Sequence, residues 1–440
     1  MALLFKKINM KKIIALVLLA IATNYLNAQN INTIINAKEV ERIEKILSAD
    51  DMQGRRTFTP GIEKASAFIE SEFKKTGLEK ISGANGYRQE FNMIEATNIS
   101  ANIMIDGKKI ADSLMVVSSF QPTVSLSEKN TDIVNINAGD DFRKKYTEYS
   151  SSKKNLLVLV DASFNSSISR LKRRSPAKFE QPDNSIVFVF GINKASSFFI
   201  ELINNINKKP LNNVVGMLKG KSKPDEYVIF SGHYDHLGIG KPTNNDSIFN
   251  GANDDAAGTT AVMMLAKYFK ALHNNERTLI FVAFTAEEVG GFGAQYFSKQ
   301  FNPEQVVAMF NIEMIGTESK WGNNSAYITG YERTDMGKIL QSNLQGTDFT
   351  FYPDPYPKQS LFFRSDNATL ARLGVPAHTI STSKMEQPPN DEPNYHKVSD
   401  EIGTLNMNNM AEIIKAIALS SKGIISGKET PLRVDTKSLN

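Results

Sequence analysis

From Asn212 onward one pattern repeats: a short apolar run, a polar turn, then a helix-length segment. The runs NVVGML, EYVIF, TLIFVAF, VVAMFNI and PAHTIS are rich in β-branched and aromatic side chains and predict buried strands. Between them, Ala256 to Leu272 places Val262, Leu265, Ala266 and Phe269 on one side of a helix, and Gly293 to Lys299 starts another. Asn406 to Ser420 reads as a closing helix. Such alternation leaves few solutions, because each crossover must return over the sheet. The expected fold is α/β: a mixed, mostly parallel central sheet with helices on both faces.

The N-terminal half divides differently. Residues 29–85 read as a helical part of the same domain, with helix periodicity over Ile34 to Leu47 and again over Ile62 to Lys75, which stops at Gly77. The polar stretch DDMQGRRTFTPG joins the two. Over 86–209 short β-like runs such as SANIMI, LLVLV and SIVFVF alternate with Ser, Asn, Lys and Asp clusters, so an inserted β-rich domain is expected there. The main domain then runs over 210–426 and a polar tail over 427–440. With 440 residues and 41% hydrophobic content the chain can bury a sizeable core.

Lys6, Lys7, Lys11 and Lys12 precede the apolar run Ile13 to Ala22, and small residues end at Ala28. This is the layout of a secretory leader cleaved near Ala28, and the run is too short for a stable membrane anchor. The expected location is therefore secreted or periplasmic. The formal charge of +4 is matched by those four lysines, so the rest of the chain is near neutral, which excludes nucleic acid as a partner. The basic cluster from Arg170 to Arg174 reads as a solvated loop. No cysteine is present, so disulfides, thiolate metal sites and a lipidated cysteine are excluded.

Chemistry-bearing residues gather at the predicted strand ends. His233 and Asp235 follow EYVIF, Glu287 and Glu288 follow TLIFVAF, Glu313 ends VVAMFNI, and His396 lies beyond PAHTIS. Ligand sites of open α/β sheets form at the carboxyl ends of strands. In GANDDAAG, Asp254 and Asp255 open a helix; one aspartate suffices to cap it, leaving the other free to face a cation. Histidine and carboxylate without cysteine suit zinc in a hydrolytic site. Two metals about 3.5–4 Å apart would need a bridging carboxylate, terminal ligands and a base, and the chain offers each. In His233-x-Asp235 the aspartate can accept the imidazole N–H. Adjacent carboxylates at Glu287 and Glu288 leave a strand in different directions, so one can bind metal while the other meets water.

These segments, DDMQGRRTFTPGIEKASAFIESEFKKTGLE, NNVVGMLKG, DEYVIFSGHYDHLG, NGANDDAAGTTAVMMLA, RTLIFVAFTAEEVGGFGAQYF, NIEMIG, RSDNATLARLGVPA and NYHKVSDE, resemble the secreted di-zinc aminopeptidase family, to which glutamate carboxypeptidase II and glutaminyl cyclases also belong. The resemblance spans residues 50–85 and 210–405, with 86–209 standing where many members carry a protease-associated domain. It implies two Zn²⁺ ions: His233 and Glu313 on one, Glu288 and His396 on the other, Asp254 bridging. It implies Glu287 as general base, Asp235 as the partner orienting His233, and Tyr395 as an oxyanion stabiliser. Peptides with a free N-terminus would be the substrates. Glu313 stands where most members carry aspartate, one methylene shorter. Glutaminyl cyclase is the alternative within the family, although cyclases tend to place tryptophan where this chain has Tyr395. A non-catalytic binding protein on a peptidase scaffold is the alternative outside it.

The remaining histidines invite plainer roles. His236 is expected on the surface or behind a ligand, His273 as a charge partner at a helix end, and His378 as a hydrogen-bonded core residue. Arg364 and Asp366 either line the pocket or pair with each other.

Overall fold

In the computed structural model each of those apolar runs is a strand of one sheet. The structure describes residues 31–173, 177–243, 245–386 and 392–439; the leader expected over 1–28 and the end of the basic cluster at Arg174 lie outside the described residues. The described residues fall into two compact units, one of 31–90 with 212–439 and one of 91–211.

The strands of the first unit are β1 (212–218, the end of Phe198–Leu218), β2 (Lys223–His233), β3 (Arg277–Phe284), β4 (Val306–Ile312), β5 (Ser325–Ile328), β6 (Thr350–Pro353) and β7 (Ala377–Ser381). They lie side by side in the order β6-β5-β7-β4-β2-β3-β1. The central strand β2 is parallel to both β3 and β4, and β4 to β7. Only β1 against β3 and β5 against β7 are antiparallel. The sheet is therefore mixed and mostly parallel, as its sequence pattern predicts.

Helices α1 (Ala37–Leu47), α2 (Pro60–Thr76), α3 (Ala257–Leu272), α4 (Phe292–Ser298), α5 (Met336–Asn343), α6 (Asn367–Ala371) and α7 (Met407–Ser420) cover it. Strand alternation sorts them. Phe230, Phe281 and Phe310 point to one face and share a core with α1, α2, α3, α5 and α7, whereas Ile229, Ile280 and Met309 point to the other and meet α4 and α6. The Phe230 ring stacks on Phe281 and Phe310 with centroids 5.6 and 4.9 Å away, which pins β2 between its neighbours. The first long helix starts at Ala37 rather than Ile34, because Asn36 is extended and its side chain accepts the Glu39 N–H. Gly77, left-handed at φ 75°, ends α2 as its sequence position predicts.

In the unit of 91–211, Met115–Ser119, Ser185–Phe190, Leu156–Val160 and Asp132–Ile136 form a four-stranded sheet in that spatial order. The runs LLVLV and SIVFVF are parallel neighbours in it, and LLVLV is parallel to Asp132–Ile136 as well. Phe188, Phe190 and Val158 pack on one side of it and Leu157, Leu159 and Val187 on the other.

Candidate metal centre

Three neighbouring parallel strands, β3, β2 and β4, end together, and each delivers an acid or histidine at its carboxyl end. His233 is the last residue of β2, Glu287 and Glu288 follow β3, and Glu313 follows β4. The start of α3 packs tightly on this edge. A Cβ at Gly232 would lie 2.8 Å from the Gly258 backbone, so only glycine admits that approach. Thr259 Oγ1 donates to the His233 carbonyl at 2.7 Å.

The two aspartates of GANDDAAG divide the labour that the sequence suggests. Asp255 accepts the backbone N–H groups of Gly258, His233 and Met314, each at 3.0 Å, capping the helix and tying it to β2 and β4. Asp254 is thereby free. Its own N–H and that of Asn253 donate to the Asp400 carboxylate at 3.0 and 2.8 Å, which turns its side chain into the centre.

There Asp254 presents one oxygen to each of two donor groups. Its Oδ1 is 3.2 Å from His233 Nε2, which lies 3.9 Å from Glu313 Oε1. Its Oδ2 is 3.2 Å from His396 Nε2, which lies 3.3 Å from Glu288 Oε2. The His233, Asp254 and Glu313 donors lie within 4.8 Å of one another, as do those of His236, Asp254 and Glu288. The donors fit a cation. His233 Nδ1 is 3.1 Å from the Asp235 carbonyl, so a proton held there leaves the Nε2 lone pair facing the carboxylates. That Nε2 and Glu313 Oε2 are buried and have no hydrogen-bond partner among the described residues. Nitrogen and oxygen donors of this kind suit zinc.

The electrostatics agree. Burial raises Glu287 well above the usual carboxylate range, with Glu313 and Asp366 pushing the same way against His233. Burial also raises Glu313 and lifts Asp366 to about 8. Burial works against protonation of His396, yet Asp254 and Glu288 raise it to about 10. Against its own burial, Asp254 is held well below the normal range by His233 and His396. So many carboxylates this close retain extra protons unless a cation replaces them.

Asp235 acts differently from its expected role. Its carboxylate lies 3.9 Å from His233 Nδ1 and instead accepts the N–H groups of Glu287 and Glu288 at 3.0 and 3.3 Å, so the ring is oriented by its carbonyl and the Glu287–Glu288 turn by its side chain. Tyr395 stacks on His396 at 3.9 Å between centroids, and its hydroxyl lies 3.5 Å from Arg364 Nη2. It lines a cleft beside Glu313, together with Tyr327, Leu361, Arg364 and Met385. Arg364 thus lines the pocket, while Asp366 is buried with neither oxygen hydrogen-bonded to protein; the two make no ion pair among the described residues. His378 is the core histidine expected: it contacts Thr334 Oγ1 and the Thr329 carbonyl, each at 2.8 Å. His273 ends α3 in a left-handed conformation.

Of the two places expected for His236 the structure takes one, and one arginine escaped notice. His236 is not at the surface: it is buried, with Nδ1 2.9 Å from Glu288 Oε1. Arg55, in the polar link DDMQGRRTFTPG, is fully buried and donates to the carbonyls of Leu47, Tyr234, Asn250 and Gly251. It clamps the His233–His236 segment to the loop preceding Asp254. An arginine beside a glycine in a short link was the only trace of this in the sequence.

Comparison with known proteins now bears on this geometry. Residues 213–420 match peptidase family M28. A probable zinc metalloprotease of Pyrenophora teres f. teres is 36% identical over 108 residues, 24% of this chain and 23% of that protein. One of Pyricularia oryzae is 33% identical over 111 residues, 25% of this chain and 22% of that protein. The chain thus spans about a quarter of the length of the curated relatives it matches. Among solved structures, the aminopeptidase from Aneurinibacillus sp. strain AM-1 superposes with a TM-score of 0.53 at 15% identity, over 90% of this chain and 95% of that one. The zinc aminopeptidase BSAP from Bacillus subtilis gives 0.51 at 14% identity, over 90% and 97%. At such identities these two speak for the fold alone. Residues 213–420, just under half of the chain, include every donor of the centre and are similar to peptidase family M28.

Proposed function

We propose that the protein is a zinc-dependent exopeptidase, an aminopeptidase that removes N-terminal residues from peptides. The observation that supports this most is Asp254, with one oxygen facing His233 and Glu313 and the other facing Glu288 and His396. Two Zn²⁺ ions would be held there, with Asp254 bridging. When bound, they would supply Lewis acidity and a water acidic enough to act as nucleophile near neutral pH.

The chain's own groups do the rest. Glu287 follows the same strand as Glu288 but is left outside both donor groups, and burial raises its proton affinity. Such a carboxylate can take a proton from water and return it to the leaving amine. Asp235 fixes the turn from which it projects. The carboxylates of Glu313 and its neighbours favour a substrate ammonium, and the cleft beside Glu313 would take the side chain of the residue removed. Tyr395, at the rim of that cleft, would steady the oxygen that gains charge.

The four lysines and apolar run before Ala28 further support export to the periplasm or medium. Among the described residues no helix is long and apolar enough to cross a membrane.

A panel of free and N-blocked aminoacyl substrates, assayed on protein of measured zinc content, tests the proposal. Only free-amine substrates should be cleaved, with activity lost on chelation and restored by zinc. Equal cleavage of blocked substrates would remove the aminopeptidase assignment.

A further inference from the structure

We infer that His236 is a positioning residue for the second metal site: through Nδ1 it holds the outer oxygen of Glu288, so that the inner oxygen stays aimed at the position shared by His396 and Asp254. This rests on the zinc reading above and adds a residue to it.

Glu288 uses its two oxygens differently. Oε2 lies 3.3 Å from His396 Nε2, whereas Oε1 lies 2.9 Å from His236 Nδ1. His396 Nε2 is nearly equidistant from Glu288 Oε2 and Asp254 Oδ2, at 3.3 and 3.2 Å, as a donor sharing one cation with both should be. His236 Nδ1 is close only to Glu288, with Asp254 Oδ2 at 3.9 Å. That asymmetry marks His396 as the ligand and His236 as its neighbour's support.

The ring is fixed from the other side. A Cβ on Gly251 would come within 2.5 Å of His236 Cγ and Cδ2, and Gly251 is left-handed at φ 56°, so the ring is wedged between a glycine backbone and Glu288. The His236 N–H donates to the Arg55 carbonyl at 3.3 Å, beneath the same arginine clamp. His236 Nε2 is buried without a hydrogen-bond partner among the described residues, so a proton there would be stranded, while a proton on Nδ1 is donated to Glu288.

Glu288 needs this support more than His233 does. Its backbone N–H makes the longer of the two contacts with Asp235, at 3.3 Å, and its partner ligand His396 is exposed. Groups that hydrogen-bond a ligating carboxylate orient it, and their loss typically weakens metal binding about 10–100-fold.

The test is calorimetric Zn²⁺ titration of the chelator-stripped full chain, for wild type, His236→Phe and His236→Asn. An asparagine amide nitrogen can occupy the place of imidazole Nδ1 and keep the donor. Wild type should bind two equivalents. His236→Phe should keep one step unchanged and weaken the other about 10–100-fold, and His236→Asn should recover most of that loss. Unfolding curves of the stripped variants establish that each is folded, and the Asn variant provides the comparison if the Phe variant is not. Unchanged affinity of both steps in a folded His236→Phe would overturn the inference, as would His236→Asn binding as weakly as Phe. Wild type that binds no zinc would instead overturn the zinc reading itself.

Discussion

The two donor groups that share Asp254 are built by different means. His233 ends β2 and Glu313 follows the adjacent parallel strand β4, each two residues beyond the paired Ser231 and Asn311, and the His233 side chain is 1% exposed. His396 comes from a loop, has a left-handed backbone at φ 56° and a side chain that is 38% exposed. The sheet itself fixes the first group. The second is assembled by tertiary contacts: Asp400 on the Asp254 backbone, Asp235 on the Glu288 turn and His236 on the Glu288 carboxylate. A strand-end site is therefore expected to survive single changes nearby, whereas the loop-side site should depend on each support.

The largest effect should come from a residue that belongs to neither group. Glu287→Gln is expected to lower kcat about 10³-fold, within the range for loss of a general base, while zinc content stays at the wild-type level; turnover near wild type would show that the base lies elsewhere. Next, Arg55→Met removes the clamp common to both halves and leaves four carbonyls without their cationic donor. Urea unfolding should show a loss of at least about 3 kcal/mol, given about 1.5–3 kcal/mol for a single hydrogen bond to a charged group. The comparison of halves is sharpened by alanine at each histidine in metal-free protein. His233→Ala should cost about 2 kcal/mol, as for a buried side chain, and exposed His396→Ala within about 0.5 kcal/mol, read from thermal melts. Equal losses would mean that the halves are equally built in.

A pH-dependent effect concerns the foundation of the sheet-held half. Glu44 on α1 accepts from Thr260 Oγ1 on α3 at 2.9 Å, and burial raises its carboxyl to about 8. Between its ordinary value near 4.5 and about 8, the folded chain holds a proton that the unfolded chain releases. Stability from this group is thus fully present below that window and falls as pH rises through it. Glu44→Gln, which stays neutral, should flatten that slope, so its advantage over wild type in Tm should be larger at pH 8 than at pH 5.

This contrast also explains what could be read in the sequence. Residues at strand ends were legible because five apolar runs fixed the strands, and the polar residue after each run had only one place to go. His233, Glu287, Glu288 and Glu313 follow from that; the helix start in GANDDAAG gave one capping and one free aspartate, and only the family resemblance said that Asp254 is the free one. Strands β5 and β6 are four residues each, too short for periodicity to register. For His236 the sequence left surface and a place behind a ligand both open, because β2 ends at His233; beyond that point tertiary contacts with Glu288, Gly251 and Arg55 decide where the ring goes. The Asp235 carboxylate was assigned to the nearest imidazole in sequence, but N–H groups of a turn fifty residues away claim it.

The central claim is that one aspartate joins two differently built halves into a single metal centre. Zinc content after equilibrium dialysis, measured for wild type and Asp254→Ala, tests it most directly. Two zinc ions per chain in wild type and a weakening of both sites in the folded variant are the predicted result. One site lost and the other intact, or fewer than two ions in wild type, would contradict it.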